Sequence, residues 1–257
     1  MTNKEILDIA AAQSAVDSGC RPEDFFDEGI TVVESTVNEG ARKYLKLPFI
    51  CDLTWYGHGL VASVRSDLIE DVRLFLDRHG SKPEHLFETP VLYALNDVLA
   101  KHDARVCFMA EYFLPDVDRL RVSECQYELR VLVQEDFAQL YLPEWSNAIC
   151  EKRKELDVLG VGAYDSGKLV GLAGCSADCN SMWQIGVDVL PEYRGQGIAS
   201  AMTSRLAWEI LKRGKVPFYC AAWSNIRSVR NALRSGFRPA WVQMTAANNK
   251  FVDDMIK

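Results

Sequence analysis

The residues best suited to chemistry in this sequence form a glycine-rich turn, PEYRGQGIASAM, at residues 191–202. Gly195 and Gly197 cost backbone entropy on folding, so a tight turn or a close ligand should require them. The turn precedes a helical pattern, and amides at a helix N-terminus are unpartnered and lie at the positive end of the helix dipole. With the fixed charge of Arg194, the pattern predicts a cradle for a diphosphate. An ordinary turn with a surface arginine is the alternative.

Other phosphate motifs and several classes of partner are not indicated. The sequence contains neither a G-x-x-x-x-G-K-S/T loop nor a G-x-G-x-x-G turn with an acidic residue about 20 positions on. The net charge of −7 over 257 residues gives no support for nucleic-acid binding. No apolar run approaches the ~18 residues of a membrane span, and the first residues lack a leader pattern. We therefore expect no nucleic-acid or membrane partner, and a monomer or homodimer.

Cysteine and histidine usage indicates a reduced protein without a metal. Eight cysteines lie mostly in apolar contexts, which is typical of buried thiols in a cytoplasmic protein. Cys175 and Cys179 have three residues between them, rather than the two of a typical zinc-binding pair, and all four histidines precede residue 103. Because a zinc site needs closely spaced ligands with further partners, we predict no metal.

The elements that would position the turn are clearest in the second half of the chain. Alternation and turn residues predict strands at 127–133, 181–190, 216–223 and 237–245, and a hairpin of 158–164 with 169–177. Helices are predicted at 196–213, ended by Gly214, at 225–235, and as one or two segments within 135–155. This order indicates a mixed α/β sheet with crossover helices.

The first half also mixes helices and strands. Helices are predicted at 3–17, at 67–79 with Ser66 as N-cap and Gly80 after it, and at 88–102. Strands are predicted at 30–37, 49–56 and 104–113. The polar stretch 114–125 is interpreted as the connection between two domains, 1–120 and 121–257.

At this point the sequence resembles a known family. RGQGIA at 194–199 is similar to the Q/R-x-x-G-x-G/A acetyl-CoA loop of the GNAT N-acetyltransferases. Asn225, Ser228 and then SGF at 235–237 resemble the family's N-x-x-A…GF segment. The resemblance covers about residues 127–245. The layout of the whole chain looks most like the subgroup that includes zwittermicin A resistance acetyltransferases.

The resemblance implies acetyl-CoA as co-substrate and assigns residues to it. The strand before the loop would splay from its neighbour, so that Val187, Asp188 and Val189 offer backbone groups to the pantetheine arm. Asn225 and Ser228 would lie near the pantetheine or thioester, although Asn225 also suits a helix N-cap. The pyrophosphate would lie on the amides of the loop: Arg194, Gly195, Gln196, Gly197, Ile198 and Ala199.

The implied reaction is direct attack of a primary amine on the thioester, with a backbone N–H near Val189 as oxyanion hole. Asp188 is the favoured general base; Glu192, Asp178 and Glu111 are alternatives. Many GNAT enzymes carry a tyrosine seven residues after the asparagine, which protonates the thiolate, but here that position is Ala232. Another donor, such as Ser228, Tyr219 or Cys220, would replace it, or the thiolate leaves unassisted.

We therefore predict an N-acetyltransferase that acts on a small amine, either an antibiotic or a metabolite. The first domain would shape the acceptor site, with the loop TWYGHGL at 54–60 as a candidate wall. The alternatives are a protein N-acetyltransferase, a non-catalytic acyl-CoA sensor and a scaffold with a decayed site. The sensor is favoured by Ala232, because the usual tyrosine is missing there.

Overall fold

The computed structural model describes residues 1–256 and divides into two compact units. The first unit comprises Met1–Ala10 and Phe113–Pro239; the second comprises Ala11–Tyr112 and the described residues from Ala240 onward. The units therefore interleave along the chain, whereas the sequence predicted a division into 1–120 and 121–257. A boundary drawn from one polar stretch cannot reveal that chain termini return to the other half.

The mixed α/β class predicted from the sequence is confirmed. The helices are α1 (Asn3–Ser18), α2 (Ile69–His79), α3 (Thr89–Ala100), α4 (Ile198–Lys212), α5 (Ile226–Arg234) and α6 (Asn249–Ile256). The strands are β1 (Ile30–Glu34), β2 (Cys51–Trp55), β3 (Leu60–Val64), β4 (Ala104–Pro115), β5 (Glu128–Val133), β6 (Asp157–Asp165), β7 (Lys168–Ser176), β8 (Met182–Val189), β9 (Val216–Ala222) and β10 (Phe237–Asn248).

The first unit is built on the strand order β5-β6-β7-β8-β9. The first three pairs are antiparallel, whereas β8 and β9 are parallel. The predicted hairpin turn is present, with Ser166 and Gly167 both at positive φ, as a two-residue primed turn requires. The apolar face of α4, including Ile198, Met202 and Leu206, is buried in the core that it shares with this sheet.

The second unit contains the strand order β1-β3-β2-β10-β4 with α2 and α3. Strand β3 was missed from the sequence because all five of its residues are buried, so it shows no alternation. Helix α2 begins at Ile69, after a 3-10 turn at Ser66–Leu68, so Leu68 rather than Ser66 occupies the N-cap position. Helix α6 was not predicted.

The predicted helices within 135–155 are wrong, because this segment forms only 3-10 turns at Gln134–Gln139, Pro143–Trp145 and Glu151–Leu156. Three of its backbone N–H groups donate to side chains: those of Asn147 and Ala148 to Asp188, and that of Cys150 to Asp157. Others, such as the N–H of Arg153, donate to the carbonyl three residues earlier, so the regular i to i−4 ladder of an α-helix does not form.

The state of the cysteines and the length of the helices can also be described. Within residues 1–256 the eight cysteines are free thiols. None of the helices in this described range is both long and apolar enough to cross a bilayer.

Candidate acyl-donor site

A cleft opens between β8 and β9. Their parallel pairing runs from Met182–Val216 to Gln184–Phe218, and among the described residues it does not continue beyond that point. Yet β8 extends to Val189 and β9 extends to Ala222. The two strands therefore present unpaired backbone to each other over several residues, which is the splay that the resemblance implied.

The backbone of Val187 and Val189 faces this cleft. The Leu190 N–H donates to the Val170 carbonyl at 3.0 Å, so residues 188 and 190 are the hydrogen-bonded positions of the β7–β8 ladder. Because antiparallel pairs alternate, the N–H and C=O groups of Val187 and Val189 point away from β7 and towards β9. The Val189 carbonyl accepts a bond from Arg194 Nε at 3.0 Å. The arginine is thereby fixed across the entrance of the loop.

The glycines of the loop are explained by conformation. Gly195 and Gly197 have φ values of +80° and +81°, and a Cβ on either would meet no described heavy atom within 4 Å. The left-handed backbone, rather than lack of space, therefore requires glycine here. Gly197 occupies the N-cap position of α4, so the first amides of the helix open on the loop.

The loop residues and Asn225 and Ser228 line one cavity of about 790 Å³. The lining residues are Val187, Asp188, Val189, Tyr193, Arg194, Gly195, Gly197, Ile198, Ala199, Ser200, Tyr219, Asn225, Arg227, Ser228, Arg230, Asn231 and Arg234. Of the cofactor residues predicted from the sequence, Gln196 alone is outside this set in the described chain. Its side-chain oxygen instead accepts bonds from Gln126 and Tyr127, both at 2.7 Å.

The charge of this cavity was underestimated from the sequence. Arg227, Arg230 and Arg234 join Arg194 in the lining, and Asp188 is the one acidic residue in the described lining set. The three additional arginines are spaced i, i+3 and i+7 on α5, which places them along one helix face. That spacing was visible in the sequence and could have revealed them. A chain of net charge −7 thus concentrates guanidinium groups where phosphates would bind.

Asn225 is the N-cap of α5, and its Oδ1 accepts from the Ser228 backbone N–H at 3.2 Å. The alternative that the sequence left open, a capping role, is therefore present. The cap uses the side-chain oxygen, so the Asn225 amide nitrogen retains its donors on the cavity wall.

Asp188, the favoured base, is heavily engaged. Its carboxylate accepts from Asn147 Nδ2 at 2.7 Å and from the N–H groups of Asn147 and Ala148 at 2.8 and 3.0 Å. Three donors occupy most of its acceptor positions. This geometry suits an anchor for residues 147–148 better than a group that takes up a proton.

The other predicted bases lie elsewhere. Asp178 is fully buried and ion-paired with Arg153, and Glu192 is exposed and pairs with Lys168 at 3.5 Å. Glu111 lies on β4, in the second unit. Neither Asp178 nor Glu192 belongs to the described lining of the cavity.

Tyr219 is the hydroxyl that the cavity does contain. The residue is 4% exposed and lines the cavity from β9, together with Ser228 and Asn231 of α5. Burial raises the pKa of its phenol above the ordinary value. Sequence reasoning named it among three substitutes but could not distinguish them. Of the other two, Cys220 accepts from Gln184 Nε2 at 3.0 Å and is not in the described lining, whereas Ser228 is.

Two solved structures are examples of proteins to which this chain is similar. A putative GNAT acetyltransferase of Novosphingobium aromaticivorans is 19% identical, with 56% of this chain and 66% of that chain covered and a TM-score of 0.42. The GCN5-related N-acetyltransferase of Sphaerobacter thermophilus is 16% identical, with 74% and 72% covered and a TM-score of 0.48. This chain therefore spans about two thirds of the first of these proteins. A search of curated proteins found no match.

A family model provides the assignment. The model described as GNAT acetyltransferase matches residues 109–240, which is just over half of the chain. This range contains the splayed strands, the glycine loop and α5. The chain therefore belongs to the GNAT acetyltransferase family.

Proposed function

We propose that this chain transfers the acetyl group of acetyl-CoA to a primary amine of a small molecule. The observation that carries the proposal is the joining, in one cavity, of backbone from splayed strands, the open N-terminus of α4 and four arginines. These groups match an extended donor with an amide-rich arm and several phosphates. The fit rests on the chemistry of the lining groups: peptide edges for amides, and guanidinium groups and helix amides for anions.

In this proposal the donor runs from the loop into the cleft. The amides at the start of α4 and Arg194 bind the pyrophosphate, while Arg227, Arg230 and Arg234 lie where further phosphate charge can be balanced. The pantetheine amides pair with Val187 and Val189 as an additional strand would. The Val189 N–H polarises the thioester carbonyl, and the Asn225 amide contacts the same end of the donor.

We assign Asp188 a positioning role in this reaction. Its three hydrogen bonds hold residues 147–148 against β8, where the backbone oxygen of Asn147 would lie 1.8 Å from a Cβ at Gly186. The segment thereby fixes the strand whose backbone binds the donor. The incoming ammonium then loses its proton to water or to a carboxylate other than Asp188.

The acceptor is proposed from the resemblance to zwittermicin A resistance acetyltransferases, which favours an aminopolyol-type antibiotic or a related metabolite. A protein amine as acceptor, or acyl-CoA sensing without transfer, remains the competing proposal. Ala232 favours the sensor because no hydroxyl occupies that position.

Binding of the donor is tested by unfolding with and without acetyl-CoA. A hundredfold excess over Kd should add about 2.7 kcal/mol to the free energy of unfolding. Gly197→Glu places a carboxylate at the mouth of the loop and should abolish this gain. Gly214→Glu is the matched control: it is also at positive φ with no described atom within 4 Å of a Cβ, but it follows the other end of α4.

The two variants separate strain from loss of binding. Both should lower the melting temperature of the free protein, but only Gly214→Glu should keep the shift with acetyl-CoA. Equal shifts in both would contradict the placement of the donor. Thiol release with a panel of amino sugars, polyamines and amino acids then distinguishes an enzyme from a sensor.

A further inference from the structure

Ala232 occupies the position at which many GNAT enzymes carry a tyrosine that donates a proton. Ala232 is fully buried on α5, in a core that also contains Tyr219 and Phe237. The rings of Tyr219 and Phe237 have centroids 6.4 Å apart. A large side chain at position 232 would have to enter this packed core. The small alanine is therefore compatible with an aromatic ring supplied by the neighbouring strand instead of by the helix.

Tyr219 has the placement that such a donor needs. It lines the same cavity as Val187, Val189 and Asn225, and it lies one residue beyond Phe218, where the β8–β9 pairing ends. Ser228 and Asn231 of α5 also line the cavity. Asn231 donates to Thr203 Oγ1 on α4 at 3.0 Å. The phenol is therefore buried in the cavity wall that β9 and α5 form.

The other tyrosine in the cavity is not comparable. The Tyr193 hydroxyl donates to Asp165 Oδ2 at 3.0 Å, so its proton is already directed to a carboxylate outside the described lining. Ser228 is a much weaker acid than a phenol and reaches the cleft beside Tyr219. Among the described hydroxyls of the cavity, Tyr219 is therefore the best candidate to face a sulfur atom.

We propose that the hydroxyl of Tyr219 protonates the thiolate of coenzyme A as it leaves, in place of the helix tyrosine. This inference rests on the proposed acetyl transfer. The amine nitrogen attacks the carbonyl carbon and gives a tetrahedral adduct with an oxyanion and a positively charged nitrogen. When the C–S bond breaks, its electron pair goes to sulfur, and the Tyr219 proton goes to the same atom. The proton lost by the nitrogen, carried by water or through Ser228, restores the phenol, so that amide and free thiol are the products.

The first test needs no acceptor. Free coenzyme A is bound to the protein, and the ionisation of its thiol is followed by the ultraviolet absorbance of the thiolate as pH is raised. A phenol that donates to sulfur stabilises the thiolate, so Tyr219→Phe should raise the pKa of the bound thiol by about one unit, a tenfold change in the ionisation constant. Tyr164→Phe on β6 is the matched control, because that ring lies beside Arg130 and outside the described lining.

The second test uses turnover with whichever amine of the panel reacts fastest. Tyr219→Phe should lower kcat by about 10²–10⁴-fold, with the Kd for acetyl-CoA changed less than threefold, and should remove the alkaline limb of the pH–rate profile. Tyr164→Phe should change neither. An unaltered thiol pKa together with an unaltered alkaline limb would overturn the role of Tyr219 while leaving acetyl transfer intact. Failure of the wild-type protein to bind coenzyme A would instead refute the proposed function.

Discussion

Substitution of Asp188 distinguishes a general base from a residue that only positions the strand β8. Asp188→Asn keeps the size of the side chain but replaces one acceptor oxygen with an NH₂ group. The two oxygens of Asp188 accept from three donors, of which two are backbone amides of Asn147 and Ala148. An amide cannot satisfy all three, so at least one donor at the edge of β8 loses its partner.

The magnitude follows from that count. A hydrogen bond to a charged group contributes about 1.5–3 kcal/mol, and partial exposure of the site favours the lower part of that range. We expect Asp188→Asn to lower the free energy of unfolding by roughly 1–3 kcal/mol. If Asp188 only positions the strand, kcat/KM should fall about tenfold or less, and the acidic limb of the pH–rate profile should stay in place. A general base would instead cost about 10²–10⁴-fold and take that limb with it.

The assay pairs urea unfolding with the pH dependence of acetyl transfer. Glu192→Gln is the control, since it makes the same change of a carboxylate to an amide on an exposed side chain outside the described cavity lining. It should leave stability and rate unchanged, because an exposed pair with Lys168 contributes little. Normal stability of Asp188→Asn combined with a large loss of rate and of the acidic limb would refute the anchor.

Three further predictions concern charge and packing. Arg230→Gln and Arg234→Gln should weaken coenzyme A more than dephospho-coenzyme A in calorimetric titrations; equal losses would indicate that neither arginine meets the additional phosphate. Burial raises the pKa of Asp52 and Asp157 to about 6, above their unfolded values, so the free energy of unfolding should fall as pH rises from 4 through 6. Asp52→Asn should flatten this decrease in urea titrations, and a decrease of unchanged size would count against the assignment. Gly186→Ala should lower the free energy of unfolding by about 1–3 kcal/mol, because its Cβ would lie 1.8 Å from the backbone oxygen of Asn147. Near-wild-type stability of this variant would contradict the close packing there.

The sequence predicts the fold best where structure is encoded locally. The hairpin turn at Ser166–Gly167 and the loop before α4 depend on glycines whose φ values are positive. Turns of this kind can be predicted from the local sequence alone. The conformation of segment 135–155 depends on hydrogen bonds to Asp188 and Asp157. Asp188 lies 41 residues after Asn147, and Asp157 is the first residue of β6. The sequence predicts helices there, but in the structure the carboxylates of Asp188 and Asp157 accept from three of its backbone N–H groups.

The residues of the site also divide into those that are evident from the local sequence and those that only the fold brings together. The glycine loop was singled out because its residues are contiguous, whereas the arginines of α5 and the side chain of Tyr219 join it in one cavity only through the packing of α5 beside β9. Asp188 was assigned from its position on the strand alone. The sequence could not reveal that Asn147 and Ala148 would occupy its oxygens, because that contact closes over 40 residues.

The overall charge of the chain is a poor guide to its ligand for a physical reason. At physiological ionic strength, charges more than about 8 Å apart are largely screened, so a bound phosphate responds to its nearest groups. In the cavity those groups are four arginines and the amides of α4, against one carboxylate, and that carboxylate is already compensated by three donors. The net charge of −7 resides elsewhere on the surface. An acidic protein can therefore hold a highly anionic donor, provided that its basic side chains are gathered along one helix face beside an open helix N-terminus.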